Sequence, residues 1–172
     1  MELAKVTNEN LIAGLLLRNR KFNSTDLDVY REILLEKYGY RLSPFAVDIR
    51  GIMDYIMKLG NSYYMIDTPD TSKLFMEKQG IEIPTILDSI DIEEVVLRKI
   101  SKLGSVPEYL VSTLFNSEEE QVINKLLDDM SLIYVWSSEP NNEEGMDLQL
   151  TCIGKERLQA IKEEYKEKRM KR

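Results

Sequence analysis

The chain has 172 residues, of which 43% are hydrophobic and 31% charged, and its 30 acidic against 23 basic side chains leave a net charge of −7. That composition excludes a disordered chain, and the length gives room for one large domain or two small ones. There is no histidine and a single cysteine, Cys152, which removes the commonest general base, the histidine-assisted nucleophile, most zinc sites and any internal disulfide. No apolar run approaches the ~20 residues that cross a bilayer, and no secretory leader is visible. A cytoplasmic, non-enzymatic protein with no cofactor, no metal and no membrane partner is therefore expected. The acidic balance also argues against generic attraction to nucleic acid.

In the first half, 11–17 belongs to a helix starting near Asn8. Ser24 or Thr25 caps a second helix that carries Leu27, Tyr30, Ile33 and Leu34 and ends near Gly39. Ser43-Pro44 starts a third, with Phe45, Ile49, Ile52, Met53 and Ile56 at helical spacing before Gly60. A strand is predicted over 63–66, a turn over 67–72 and a return strand over 73–76. Residues 81–89 then read as a short packed connector.

The second half patterns more clearly. Asp91 and Glu94 stand at capping-box spacing, and Ile92, Val95, Val96, Ile100 and Leu103 follow at helical period up to Gly104. Ser105 and Glu108 repeat the capping signal for a short second helix. Asn116 or Ser117 caps a third with Val122, Ile123, Leu126, Leu127 and Met130 inward. The period then drops to two: 132–136 reads as a strand, 137–145 as a polar loop, and Met146, Leu148 and Leu150 as a half-buried return strand. From Gly154 the chain is helical again. The fold class expected is mainly α with small β-hairpins (α+β), in two domains over 1–83 and 84–172.

Three helices followed by a hairpin resembles the order of a winged helix–turn–helix domain. In the second half, Leu150-Thr151-Cys152-Ile153-Gly154 with Leu158 is similar to the "LTxxGxxxL" exit from the wing of MarR-like and related regulators. Gly154 would allow the sharp change from strand to helix. The resemblance implies two winged helices in tandem, the second with a C-terminal basic helix. In the DNA-binding members a third helix enters the major groove, where cations are needed.

Charge decides how far that analogy goes. The third helix of the second half opens with Glu118, Glu119 and Glu120, and residues 91–154 hold 4 basic against 13 acidic side chains, a net of −9. Such a face repels a duplex and suits a protein interface, although glutamates at a helix start also complement its dipole. In the first half Arg18, Arg20, Lys21, Arg41 and Arg50 are the candidate phosphate contacts, with ordinary solvated basic residues as the alternative. The 155–172 stretch reverses sign, with 8 basic and 4 acidic residues. Its Lys162, Lys166 and Arg169 could meet a partner, or belong to a solvated helix with Glu164–Lys168 support.

The acidic groups at 67 and 70, at 88 and 91, and around 139–147 have structural reasons at turns and helix starts, and none forms a calcium loop. Cys152 reads as a small buried residue. Trp136 is expected to anchor its strand to the core; exposed, it would instead mark an interface. Two readings follow. One is a protein–protein interaction module in a transcription, replication or chromosome-associated assembly. The alternative is a DNA-binding regulator, able to form a homodimer, that uses mainly its first domain.

Overall fold

The computed structural model describes residues 6–42, 50–60, 62–137 and 145–170. Helices dominate and two small antiparallel sheets accompany them, an α+β arrangement. The chain divides into two compact units, Met1–Ile90 and Asp91–Arg172. The division lies beyond the 83/84 boundary read from sequence because the expected connector is itself a helix of the first unit.

In the first unit α1 (Asn8–Asn19) starts at Thr7, whose side chain accepts from the Asn10 amide while the Asn10 side chain accepts from the Thr7 amide. Leu11, Ile12, Leu15 and Leu16 are buried along it. The helix stops where Arg20 turns left-handed at φ 66°. β1 (Lys21–Asn23) follows, and α2 (Ser24–Ile33) is capped by Asn23 and Asp26, one residue before the predicted cap. A π-helical turn, Leu34–Tyr38, extends α2 to Gly39.

Three expectations for this unit are corrected. The proposed helix start at Ser43 lies outside the described residues, but its proposed end does not: Arg50–Tyr55 is a 3-10 segment and β2 (Ile56–Leu59) is a strand. β2 pairs with β3 (Ser62–Met65), Leu59 opposite Ser62, across a two-residue connection in which Gly60 takes φ 61°. Such a short hairpin needs positive φ, and Gly60 supplies it. The stretch predicted as turn and return strand is α3 (Pro69–Gln79). Thr68 caps it by accepting from the Thr71 amide, so Thr68-Pro69 is a helix start and not a turn. α4 (Glu82–Asp88) replaces the connector. The sheet order is β1-β3-β2, and α1 packs against α3 and α4.

The second unit repeats the order. α5 (Ile92–Leu103) is capped by Asp91, which accepts from the Glu93 amide rather than forming the expected box with Glu94. β4 (Val106–Pro107), a 3-10 turn Glu108–Leu110 and α6 (Val111–Leu114) stand where one short helix was predicted. α7 (Ser117–Asp128) follows Asn116, then β5 (Leu132–Trp136), β6 (Met146–Leu150) and α8 (Cys152–Met170). The sheet order β4-β6-β5 matches that of the first unit, with Leu132 opposite Leu150 and Trp136 opposite Met146. Leu97, Ile100, Phe115, Leu126, Leu148 and Leu158 lie in one buried cluster. No helix among the described residues is long and apolar enough to cross a membrane.

Charged groups also enter this core. Glu94 turns inward, away from the cap, and pairs with Arg98 at 3.0 Å, both side chains being almost fully buried. The Tyr165 hydroxyl donates to Glu94 at 2.7 Å, which ties the far half of α8 to α5. Arg157 binds Glu93 at 3.0 Å and Asp129 at 2.8 Å, and so holds the near half. Burial, then the hydrogen bond to Glu94, pushes the Tyr165 hydroxyl well above its ordinary value of 10.0. Once pH exceeds that ordinary value the unfolded chain loses the proton and the folded one keeps it. The Tyr165 contribution is therefore complete below pH 10.0 and falls as pH rises past it. Urea midpoints between about pH 9 and about pH 11 should drop less steeply for Tyr165→Phe than for the wild type. Parallel slopes would contradict the assignment.

Candidate interaction surface

The two groups of residues singled out from sequence have different structural fates. Arg18 pairs with Asp88, and Arg20 lies 3.6 Å from Asp67. Lys21 on β1 places its ammonium 6.0 Å from the centre of the Tyr64 ring. Arg41 is exposed, and Arg50 opens the 3-10 segment. Arg18, Arg20 and Lys21 are thus neighbours in sequence at the end of α1, but each faces an acidic or aromatic partner within its own unit.

At the start of α7 the three glutamates separate. Glu118 is exposed and Glu120 half-buried. Glu119 is only 4% exposed. Its carboxylate accepts from the Asn116 amide at 3.0 Å, completing a capping box. It also faces the Lys99 ammonium at 3.4 Å. Lys99 is itself buried, donating to the Leu114 carbonyl at 2.6 Å and lying 4.4 Å from the Phe115 ring centre. Glu119 is therefore removed from the proposed interface: it builds the turn that aims α7. The S/T/D/N-x-x-E spacing Asn116–Glu119 carried that signal in the sequence.

Trp136 stood with Glu118 and Glu120 as an interface candidate in the sequence, whereas Tyr134, Tyr109 and Glu108 carried no such signal. Tyr134 and Trp136 alternate onto one side of β5 with the core residue Leu132. Burial, and then the carboxylates of Glu108 and Glu120, push the Tyr134 hydroxyl above its ordinary value. Tyr109, next to Glu108, is exposed. Trp136 is 75% exposed, correcting its expected role as a core anchor. Its place at the outer end of the edge strand explains this: Leu132, at the other end of the strand, already fills the core. Tyr134 and Trp136 thus share one side of β5, Glu108 and Glu120 act electrostatically on the first of them, and Tyr109 and Glu118 are exposed elsewhere on the same unit.

The basic residues that could offset this charge are engaged. Arg98 and Lys99 are buried, and Lys125 binds Glu93. Hydrogen bonding to that carboxylate raises the Lys125 pKa further. On α8, Lys162 is half-buried while Lys166 and Arg169 are exposed. Cys152 is exposed, not buried as expected, because α8 begins with it and turns its first residue outward. Among the described residues, no group of three or more acidic or cysteine side chains is placed to hold a metal ion. No protein-family model matches the chain, and neither a curated protein nor a solved structure matches it.

Proposed function

We propose that the protein is a tandem winged-helix module that works by protein–protein interaction, within a transcription, replication or chromosome-associated assembly. The fold part of this reading is supported by the shared order of the two units, in which the first strand pairs with the third and the third with the second. The functional part rests on one observation: the single tryptophan, Trp136, stands exposed at the outer end of β5, on the side of the strand that carries Tyr134, whose hydroxyl feels the Glu108 and Glu120 carboxylates. A large exposed aromatic on an acidic unit suits a partner segment with apolar and basic side chains, since aromatic residues anchor interfaces and their ring faces attract cations. The helix that would read a groove in a DNA-binding winged helix presents Glu118, Gln121, Asn124, Lys125 and Asp128 to solvent, and its one cation, Lys125, is paired with Glu93. Phosphates are repelled there.

The alternative, a DNA-binding regulator using the first domain, draws on the basic residues at the end of α1 and on Arg41 and Arg50. Titration of a fluorescent duplex separates the two. The full chain is expected to bind weakly at most, and Glu118→Gln with Glu120→Gln to leave that binding unchanged or raise it slightly as salt is lowered. The variant should fold, because glutamine has nearly the helix propensity of glutamate and Glu119 is untouched. Tight duplex binding with a steep salt slope would overturn the protein-interaction reading.

A further inference from the structure

Where α7 ends, β5 begins and α8 starts, Leu127, Met130, Leu132, Ile133, Cys152 and Ile153 line an apolar cleft of about 300 Å³. Ile133 and Ile153 are 46% and 47% exposed there, and Met130 more so, with no described element covering them. The cleft lies at the opposite end of β5 from Trp136, so it is a second surface. Exposed charges flank it with acids in excess: Asp128 follows the lining Leu127, Glu156 stands one helical turn beyond the lining Cys152, and Lys155 one turn beyond the lining Thr151. The nearby Arg157 is committed to Glu93 and Asp129.

The far end of α8 has the complementary chemistry. Met170 is 79% exposed, and Lys166 and Arg169 lie on the same helical side within one turn of it. Over 91–154 the chain carries a net charge of −9, and over 155–172 one of +4. A cationic helix end with one flexible apolar side chain suits an apolar cleft with acids at its rim, and methionine adapts to irregular apolar space. The helix cannot serve its own cleft. α8 starts at the cleft, and at 1.5 Å per residue its last turn lies ~27 Å away, with Tyr165 and Arg157 holding it along α5.

We propose that this cleft receives the C-terminal turns of α8 from a second copy of the chain, Met170 entering between Ile133 and Ile153. The exchange is reciprocal, each copy giving a helix end and receiving one, as a two-fold interface requires. It does not depend on the partner surface around Trp136, because a chain that stays monomeric could still bind a partner there.

Cys152 reports on the cleft directly, being the only thiol in the chain and part of its lining. The full chain would be followed by sedimentation equilibrium and by the rate at which 5,5′-dithiobis(2-nitrobenzoate) modifies Cys152, across a concentration series. A dimer is expected, with Cys152 reacting about tenfold more slowly in it than in dilute monomer. Raising salt should weaken both effects. Ile153→Glu in the cleft and Arg169→Glu with Met170→Glu on the helix end should each give a monomer. In the helix-end variant the thiol should react at the monomer rate at every concentration, and circular dichroism checks that the fold is kept. A wild-type chain that stays monomeric would overturn the proposal. So would a dimer whose Cys152 reacts at the monomer rate, or one that survives the helix-end change, since either places the contact elsewhere.

Discussion

Replacing Gly154 with alanine is expected to destabilise the second unit by about 3 kcal/mol, at the upper end of what overpacking costs. A β-carbon at that position would lie 2.2 Å from the Ser131 carbonyl oxygen and 3.2 Å from a Leu150 methyl. The oxygen belongs to the backbone and cannot swing aside. It also accepts from the Thr151 amide at 3.0 Å and from the Thr151 hydroxyl at 3.1 Å. Thr151 in turn caps α8 by accepting from the Gly154 amide at 3.1 Å. Pushing Ser131 away therefore loosens the join between β5, β6 and α8 together. Gly51→Ala is the control, because only the mobile end of Lys78 comes within 4.0 Å of the added carbon; its effect should stay within about 0.5 kcal/mol. Urea unfolding at constant slope measures both. Equal midpoints for the two variants would contradict the account.

The second large effect is expected at Glu94. Glu94→Ala removes the carboxylate that pairs with the buried Arg98 guanidinium and that accepts from the Tyr165 hydroxyl. Removing one member of a buried ion pair typically costs about 3–5 kcal/mol, because the remaining charge stays desolvated. Replacing both residues, Glu94→Leu with Arg98→Met, should recover much of that loss, since an apolar pair of similar volume has no charge left to compensate. A loss below about 1 kcal/mol for Glu94→Ala would show that Arg98 is solvated or held by other groups.

These two positions also show how much could be read from residues alone. Gly154 stood out in the sequence as the hinge of a strand-to-helix change, which is a question of backbone freedom. The structure keeps it helical and gives another reason, the Ser131 carbonyl. No local pattern encodes a contact with a residue twenty-three positions earlier. Glu94 was read as a cap because capping spacing is local, while its partner Tyr165 lies 71 residues away. In the second unit α5 and α7 were legible from helical period and an acidic or Asn cap, and β5 and β6 from alternation. In the first unit the apolar residues near 52–59 and 73–76 fit helix and strand periods alike, and the short elements there were exchanged. Thr68-Pro69 and Gly60 held the deciding signals.

The surface was legible in charge and not in geometry. Consecutive glutamates gave an acidic start to α7, but only burial separates the structural Glu119 from Glu118 and Glu120. Exposure of Trp136 depends on where β5 runs out past the core, which a five-residue strand pattern does not disclose.

That tryptophan allows the most direct test. The full chain and its Trp136→Ala variant would be used as baits in the same extract, each with and without nuclease, after unfolding curves have shown equal stability. At least one protein is expected to be retained by the wild type after nuclease treatment and lost by Trp136→Ala, because an exposed interface tryptophan typically carries about 2 kcal/mol or more of binding. Retention that disappears with nuclease, or that is the same for both baits, would contradict the protein-interaction reading.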